Sequence, residues 1–218
     1  MAIPSKQIGW SQESNLLWEI TRQMDRLTKV VSASAAPTST YKVYTALLTQ
    51  TGGDNLMSLS SGDSLVIGVT YLIDNNNGGT ADFTNVGAPN NNIGTYFVAT
   101  GTTPNSWGDT LSAELVYNTG APVVTVLENT IGNIWFTYVQ PGYYNANCNE
   151  PIFDADKTFC IGTSFSAEDG TGFKVISLYP EYYNASGNIV SILSTLPVNE
   201  IGQDDILNKT PIEIRVYN

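Results

Sequence analysis

Acid-base and nucleophilic chemistry at neutral pH leans on histidine, and this chain of 218 residues has none. Ser-His-Asp and Cys-His pairs, imidazole proton shuttles and histidine-containing metal sites are thereby removed. Carboxylates remain. Glycoside cleavage needs only two, held roughly 5–9.5 Å apart, but the seventeen acidic residues beyond Lys42 show no spacing that singles out a pair. The densest acidic spots, Asp154 with Asp156 and Asp204 with Asp205, carry oxygens of the kind that ligate Ca²⁺, yet they read better as solvated loops. Asp74-Asn75-Asn76-Asn77-Gly78-Gly79 lacks the carboxylate spacing and the distal bidentate Glu of a calcium loop, so it reads as a hairpin tip. The stretch 101–104 lacks the lysine of a phosphate-binding loop. No catalytic, metal or cofactor-binding residue is nominated, and no cofactor is expected.

Two other residue types invite the question of chemistry. Tyr143, Tyr144, Tyr179, Tyr182, Tyr183 and Trp107 have the flat faces on which sugars stack, with Asn and Asp nearby; the plainer expectation is that they fill sheets and subunit contacts. Cys148 and Cys160, with eleven residues between them, read as a reduced pair packed as small hydrophobes, with a disulfide as the alternative.

Elements must position these groups, and the composition points to strands. Charged residues make up 13% of the chain, against roughly 25% in an ordinary soluble domain. Asn, Thr, Ser and Gly carry the surface polarity instead; Asn and Gly accept the positive φ of tight turns, while Thr and Tyr fit pleated strands. The charge is also uneven. Residues 1–42 hold five basic and three acidic side chains, net +2, whereas 43–218 hold four and seventeen, net −13. A body so acidic repels nucleic acid and anionic lipid, so neither is expected as a partner. No run approaches the roughly 20 apolar residues of a membrane span, and 1–6 is not followed by the apolar stretch of a signal peptide. The expected place of synthesis and assembly is the cytoplasm.

The sign change near residue 40 coincides with a change of pattern. Residues 1–10 contain Pro4 and Gly9 and show no helical period, so they read as an extended peptide. Ile3, Pro4, Ile8 and Trp10 give it an apolar character that suits docking onto another protein, since burying Trp or Ile is worth roughly 1.5–3 kcal/mol each. From Ser11, a capping residue, with Glu13 in the first turn, the spacing predicts a helix over about 12–31 inside a segment 11–32. Leu17, Ile20, Met24, Leu27 and Val31 fall at intervals of 3, 4, 3 and 4, the seam of a coiled coil, with Glu19, Arg22, Asp25, Arg26 and Lys29 on other faces. An amphipathic helix packed on its own domain would show similar spacing. The Ser- and Ala-rich linker at 33–41 favours self-association, with the following domain holding the assembly together, because so short a seam is marginal alone.

From 42 to 218 short apolar runs alternate with Gly, Pro, Asn and Asp breaks: KVYTALLTQ, SLVIGVTYLI, GTYFVAT, AELVYN, APVVTVLEN, IWFTYV, TFCIGTSF, FKVISLYP, IVSILSTL and PIEIRVYN. Ile134, Phe136 and Tyr138 alternate with Trp135, Thr137 and Val139, as half-buried strands do. VVTVLEN and IWFTYV, joined by a short turn bearing Gly132, are expected to pair as a hairpin, and Pro141-Gly142 to turn the chain again. The predicted fold is mainly β: an N-terminal α-helix forming a short trimeric coiled coil, then an antiparallel β-sandwich or jelly-roll-like body, either single or divided into 42–116 and 117–218.

The leader IPSKQIGWSQESNLLWEITRQMDRLTKV, Ile3–Val30, resembles that of structural proteins of tailed phages, including gut Bacteroidota phages of the crAss-like group. YKVYTALLTQTG, DFTNVGAPNNNIGTYFVATGTTPNSW, TGAPVVTVLENTIGNIWFTYVQPGYY and TPIEIRVYN resemble blocks of the same proteins, and together these cover about half of the chain. Proteins of this kind reuse such blocks in different orders, which fits exchangeable fibre or decoration parts. The resemblance implies a role class and brings no catalytic residue with it; it does not extend to 145–208.

The resulting expectation is a non-enzymatic virion protein, a head fibre or capsid decoration subunit. Residues 1–10 would dock on the major capsid protein or another virion protein, the helix would make a homotrimer, and the acidic β-body would project outward. The alternative is a tail fibre or adsorption protein whose loops bind host surface glycan.

Overall fold

The structure, a computed structural model, describes residues 11–33, 40–108, 113–162, 164–166, 173–180, 187–195 and 202–218; the side chains of 30–33, 77, 164–166, 173–174 and 179–180 are outside the description. The chain divides into two compact units, Met1–Ser39 and Thr40–Asn218. The described residues of the first form a helix, α1 (Gln12–Ala33).

The second unit is built from antiparallel strands: β1 (Tyr41–Thr49), β2 (Leu56–Leu59), β3 (Thr70–Asn75), β4 (Ala81–Asp82), β5 (Tyr96–Val98), β6 (Ser106–Trp107), β7 (Glu114–Asn118), β8 (Val123–Asn129), β9 (Ile134–Gln140), β10 (Tyr143–Cys148), β11 (Thr158–Ile161), β12 (Ser164–Ser166), β13 (Phe173–Pro180), β14 (Ile189–Thr195) and β15 (Thr210–Tyr217). Sheet I has the order β11-β15-β1-β8, sheet II the order β12-β13-β14-β10-β9, and sheet III the order β2-β7-β3-β5; β4 and β6 form a separate two-stranded ladder.

Alternation along the strands sends one face of sheets I and II inward. Tyr44, Ala46 and Leu48 of β1 and Ile212, Ile214 and Val216 of β15 meet Phe136 of β9, Tyr144 and Ala146 of β10 and Ile192 of β14 in one buried cluster. The mainly β, antiparallel expectation therefore holds, with two sheets facing each other across this core. A second cluster, with Tyr71, Ile73, Phe83, Phe97 and Leu115 among its members, lies inside the stretch that follows β1 and precedes β8. Thr49 and Val123 are cross-strand neighbours, so this stretch leaves and re-enters sheet I at adjacent points. The pairing of β1 with β15 puts residues 41–49 beside the end of the chain, a connection that a cut between 116 and 117 would sever.

Several local expectations are corrected. β8 and β9 do not pair: β8 lies beside β1 in sheet I, and β9 beside β10 in sheet II. The turn between them is a corner joining the two layers. Thr130 pins it, with its N–H donating to Val43 O at 2.8 Å and its Oγ1 accepting from Val43 N–H at 2.7 Å. Asn129 Oδ1 accepts from the N–H groups of Ile131 and Gly132 at 3.0 and 3.1 Å, and Gly132 has φ 128°. The hairpin that does form is β9 with β10, around Pro141-Gly142.

TFCIGTSF is two strands in different sheets, β11 and β12, broken at Gly162, where a Cβ would lie 2.1 Å from Ile176 O. SLVIGVTYLI becomes a strand only from Thr70, and Val66 and Ile67 are exposed in the preceding turn. Residues 74–79 are no hairpin tip either, because β3 and β4 belong to different ladders.

Candidate functional site

α1 starts where Ser11 caps it: Ser14 N–H donates to Ser11 Oγ at 3.2 Å and Asn15 N–H to Ser11 O at 3.1 Å. Glu13 lies in the first turn, where the helix dipole favours a carboxylate. Leu17, Ile20, Met24 and Leu27 run along one side and are exposed, from 45% for Ile20 to 65% for Leu17; Leu16 beside them is exposed as well. Val31 belongs to α1, but its side chain lies outside the described residues, as do Ile3, Pro4, Ile8 and Trp10 altogether.

The flanks of this stripe were not anticipated from the apolar spacing. Thr21 and Thr28 each follow a seam residue, and their hydroxyls donate to Leu17 O and Met24 O, both at 2.8 Å. A hydroxyl bonded back to its own helix needs no water, so both threonines can be covered by a neighbouring helix at little cost. The charges sit elsewhere: Asp25 and Lys29 pair at 3.1 Å, and the Arg22 guanidinium lies 5.1 Å from the centre of the Trp18 ring. α1 thus offers an apolar face broader than two seam positions per heptad.

In the body, a cleft of about 220 Å³ opens between β9 and the outward face of sheet III, lined by Leu56, Leu72, Val116, Tyr96, Tyr117 and Tyr138 among others. The Tyr96 ring stacks on Trp135, with centroids 5.7 Å apart and planes 7° from parallel. Phe136 N–H, on the edge of sheet II, donates to Thr70 Oγ1 at 3.1 Å. The walls are mainly aliphatic and aromatic, with Thr70, Asn118 and Thr137 adding neutral polar groups and no carboxylate among the lining residues.

No family model, curated protein or solved structure matches this chain.

The carboxylates expected to be solvated loops divide. Asp154 and Asp156 are exposed, and Asp154 Oδ1 accepts from Asp156 N–H at 2.9 Å. Asp204 is instead a clamp. Its Oδ1 accepts from Tyr144 Oη and from Gly142 N–H, and its Oδ2 from Tyr138 Oη, all at 2.9 Å. Burial, then the hydrogen bond to Asp204 and its charge, pushes Tyr138 up to about 12 and raises Tyr144 further. Asp205 Oδ1 accepts from Gly52 N–H at 2.9 Å, and its own N–H donates to Gln50 Oε1 at 2.7 Å.

Asp82 holds the Asn-rich loops of the second cluster. Its carboxylate accepts from the Thr84 hydroxyl at 2.7 Å, from Asn105 Nδ2 at 2.9 Å, from Thr84 N–H at 3.0 Å and from Asn91 Nδ2 at 3.3 Å. These bonds, the Thr84 hydroxyl's foremost, keep the carboxyl well below the usual range. A carboxylate so engaged is a structural anchor.

Among the described residues no three His, Cys, Asp or Glu side chains come together as a metal site, and no helix is long and apolar enough to cross a membrane. The suggested sugar-stacking surface is not assembled among them: Tyr144 is buried in the core, Trp107 packs edge-on against Phe83 at 5.5 Å, and Tyr143 Oη pairs with Ser191 Oγ at 2.9 Å. Tyr182, Tyr183 and the Tyr179 side chain lie outside the description. Both cysteines are free; burial pushes Cys148 to about 11 and Cys160 to about 12.

Proposed function

We propose that this chain is a non-enzymatic structural subunit of a phage virion, a head fibre or capsid decoration protein that trimerises through α1 and projects its acidic β-body. The observation that carries this reading is the exposed stripe Leu17, Ile20, Met24 and Leu27, at seam spacing and flanked by Thr21 and Thr28 with satisfied hydroxyls. Covering each such side chain is worth roughly 1.5–3 kcal/mol, enough in sum to hold helices together. A face that Leu16, Thr21 and Thr28 widen beyond the two seam positions can be covered by two neighbouring helices at once, which favours a trimer over a pair.

The virion assignment is supported by the resemblance of Ile3–Val30 and of the body blocks to tailed-phage structural proteins. In this reading residues 1–10 dock on the major capsid protein or another virion protein. Leu17→Glu with Leu27→Glu tests the seam: the purified protein should fall from trimer to monomer by light scattering, and an unchanged mass would rule the seam out. Deleting 1–10 should leave a folded trimer that fails to enter virions; normal incorporation would remove the docking role.

A further inference from the structure

In an antiparallel sandwich the outward faces are normally polar; the outward side of sheet II mixes polar residues with Trp135, Val139 and Leu193. Its polar groups form a hydrogen-bonded ladder in which Asn147 Nδ2 donates to Thr137 Oγ1 at 3.1 Å, Tyr143 Oη pairs with Ser191 Oγ, and Ser191 Oγ donates to Asn145 Oδ1 at 3.4 Å. Sheet I departs from a polar face as well. Directly opposed on its outward side are Tyr41 with Tyr217 and Leu47 with Pro211, while β11 adds Phe159 opposite Arg215 and Ile161 opposite Glu213. Phe159 is 52% exposed and Tyr217 40%.

The charges at the centre of this face cancel within the chain. Arg215 and Glu213 form an ion pair, and the Arg215 guanidinium also lies 5.1 Å from the centre of the Tyr41 ring, which in turn packs 5.4 Å from Tyr217. Glu128, opposite Thr45, sits at the edge of the sheet on β8. An apolar and aromatic patch around an internally paired arginine has the composition of a protein interface rather than a solvated face.

We propose that the outward face of sheet I packs against bodies of other copies of this chain. Two observations select a second copy as occupant. The region 43–218 carries net −13, so like bodies repel, and contact is favoured where the charge is locally cancelled. The face is also built on β1, the first strand after the helix, with only 34–40 between the end of α1 and Tyr41. Helices that assemble would hold the bodies at effective concentrations on the order of millimolar. This second argument rests on the α1 reading.

Hydroxyl-radical labelling of the full chain, read residue by residue alongside mass in solution, separates the two. In the wild-type assembly, Phe159, Tyr41 and Tyr217 should be labelled at least several-fold less than in a monomeric Leu17→Glu/Leu27→Glu protein, while Met57, on sheet III, is labelled equally in both. Phe159→Glu with Ile161→Glu, or Tyr217→Asp alone should the first fail to fold, should make the assembly dissociate at a concentration tenfold or more higher. Equal labelling of the face in an assembled wild type overturns the face and leaves the seam standing. An assembly that survives the seam substitutions with the face still protected overturns the seam and supports the face. A wild type that is monomeric with the face fully labelled overturns both, and protection found only inside virions means that a different protein covers the face.

Discussion

Tyr44 and Tyr144 sit in the same core with opposite fates for their hydroxyls. Tyr144 Oη reaches Asp204, whereas Tyr44 Oη is buried without a partner among the described residues. A buried hydroxyl left unpaired costs about 1–3 kcal/mol, and a bond to a charged acceptor contributes about 1.5–3. Tyr44→Phe should therefore be neutral or stabilising by up to about 1 kcal/mol, and Tyr144→Phe destabilising by about 1–3 kcal/mol, in urea unfolding. The same clamp sets a pH limit. A tyrosine whose folded pKa is raised stabilises fully below its unfolded value of about 10 and loses that contribution as pH rises through the folded value. Tyr138 rises to about 12, so unfolding free energy should decline between pH 10 and 12, and Asp204→Asn should flatten that decline. Asp82 works in the other sense. Its carboxyl is depressed, so its contribution is present above the ordinary carboxylate pKa and is lost as pH falls below it.

Among the elements, α1 was legible because capping by Ser11 and a 3-4 apolar period are local signals, and both reappear in the folded helix. Strand positions were legible for the same reason, through alternation and glycine breaks. Strand partners were not. A four-residue turn after an apolar run is compatible with a hairpin or with a corner between layers, and the choice was made by Val43, eighty-seven residues earlier in the chain. The clamp made by Asp204 is not legible in its acidic dipeptide, which reads as a solvated loop, because Tyr144 lies sixty residues away, beyond any spacing rule. Gly162 marks where the chain changes sheet, with no room for a Cβ beside Ile176 O. Gly162→Ala should cost about 2–4 kcal/mol, as backbone-level clashes do, and should specifically loosen β11 and β12. Faster amide exchange at Cys160 and Phe165 than at Ile192 would show this; a uniform change would mean that the two strands are not separately held.

At the scale of the body, the two buried clusters depend on each other unequally. The stretch containing β2 to β7 leaves sheet I beside its point of return, since Thr49 and Val123 are neighbours. It rests on the edge of sheet II through Thr70 and Tyr96. It can lose order while β1 remains paired with β15, but the converse would remove both of its anchors. Phe97 and Phe136 are each fully buried, one in each cluster. Truncating a buried phenylalanine to alanine costs about 3–5 kcal/mol, yet the two should behave differently. Phe97→Ala should speed amide exchange at Tyr71, Ile73 and Leu115 while Ile192 and Ile214 keep their protection, because sub-global opening of the inserted stretch becomes the cheaper route. Phe136→Ala should lower protection in both clusters together. Equal loss everywhere in Phe97→Ala would show that the body unfolds as one unit, and the inserted stretch would then be as much a part of the sandwich core as the strands that flank it.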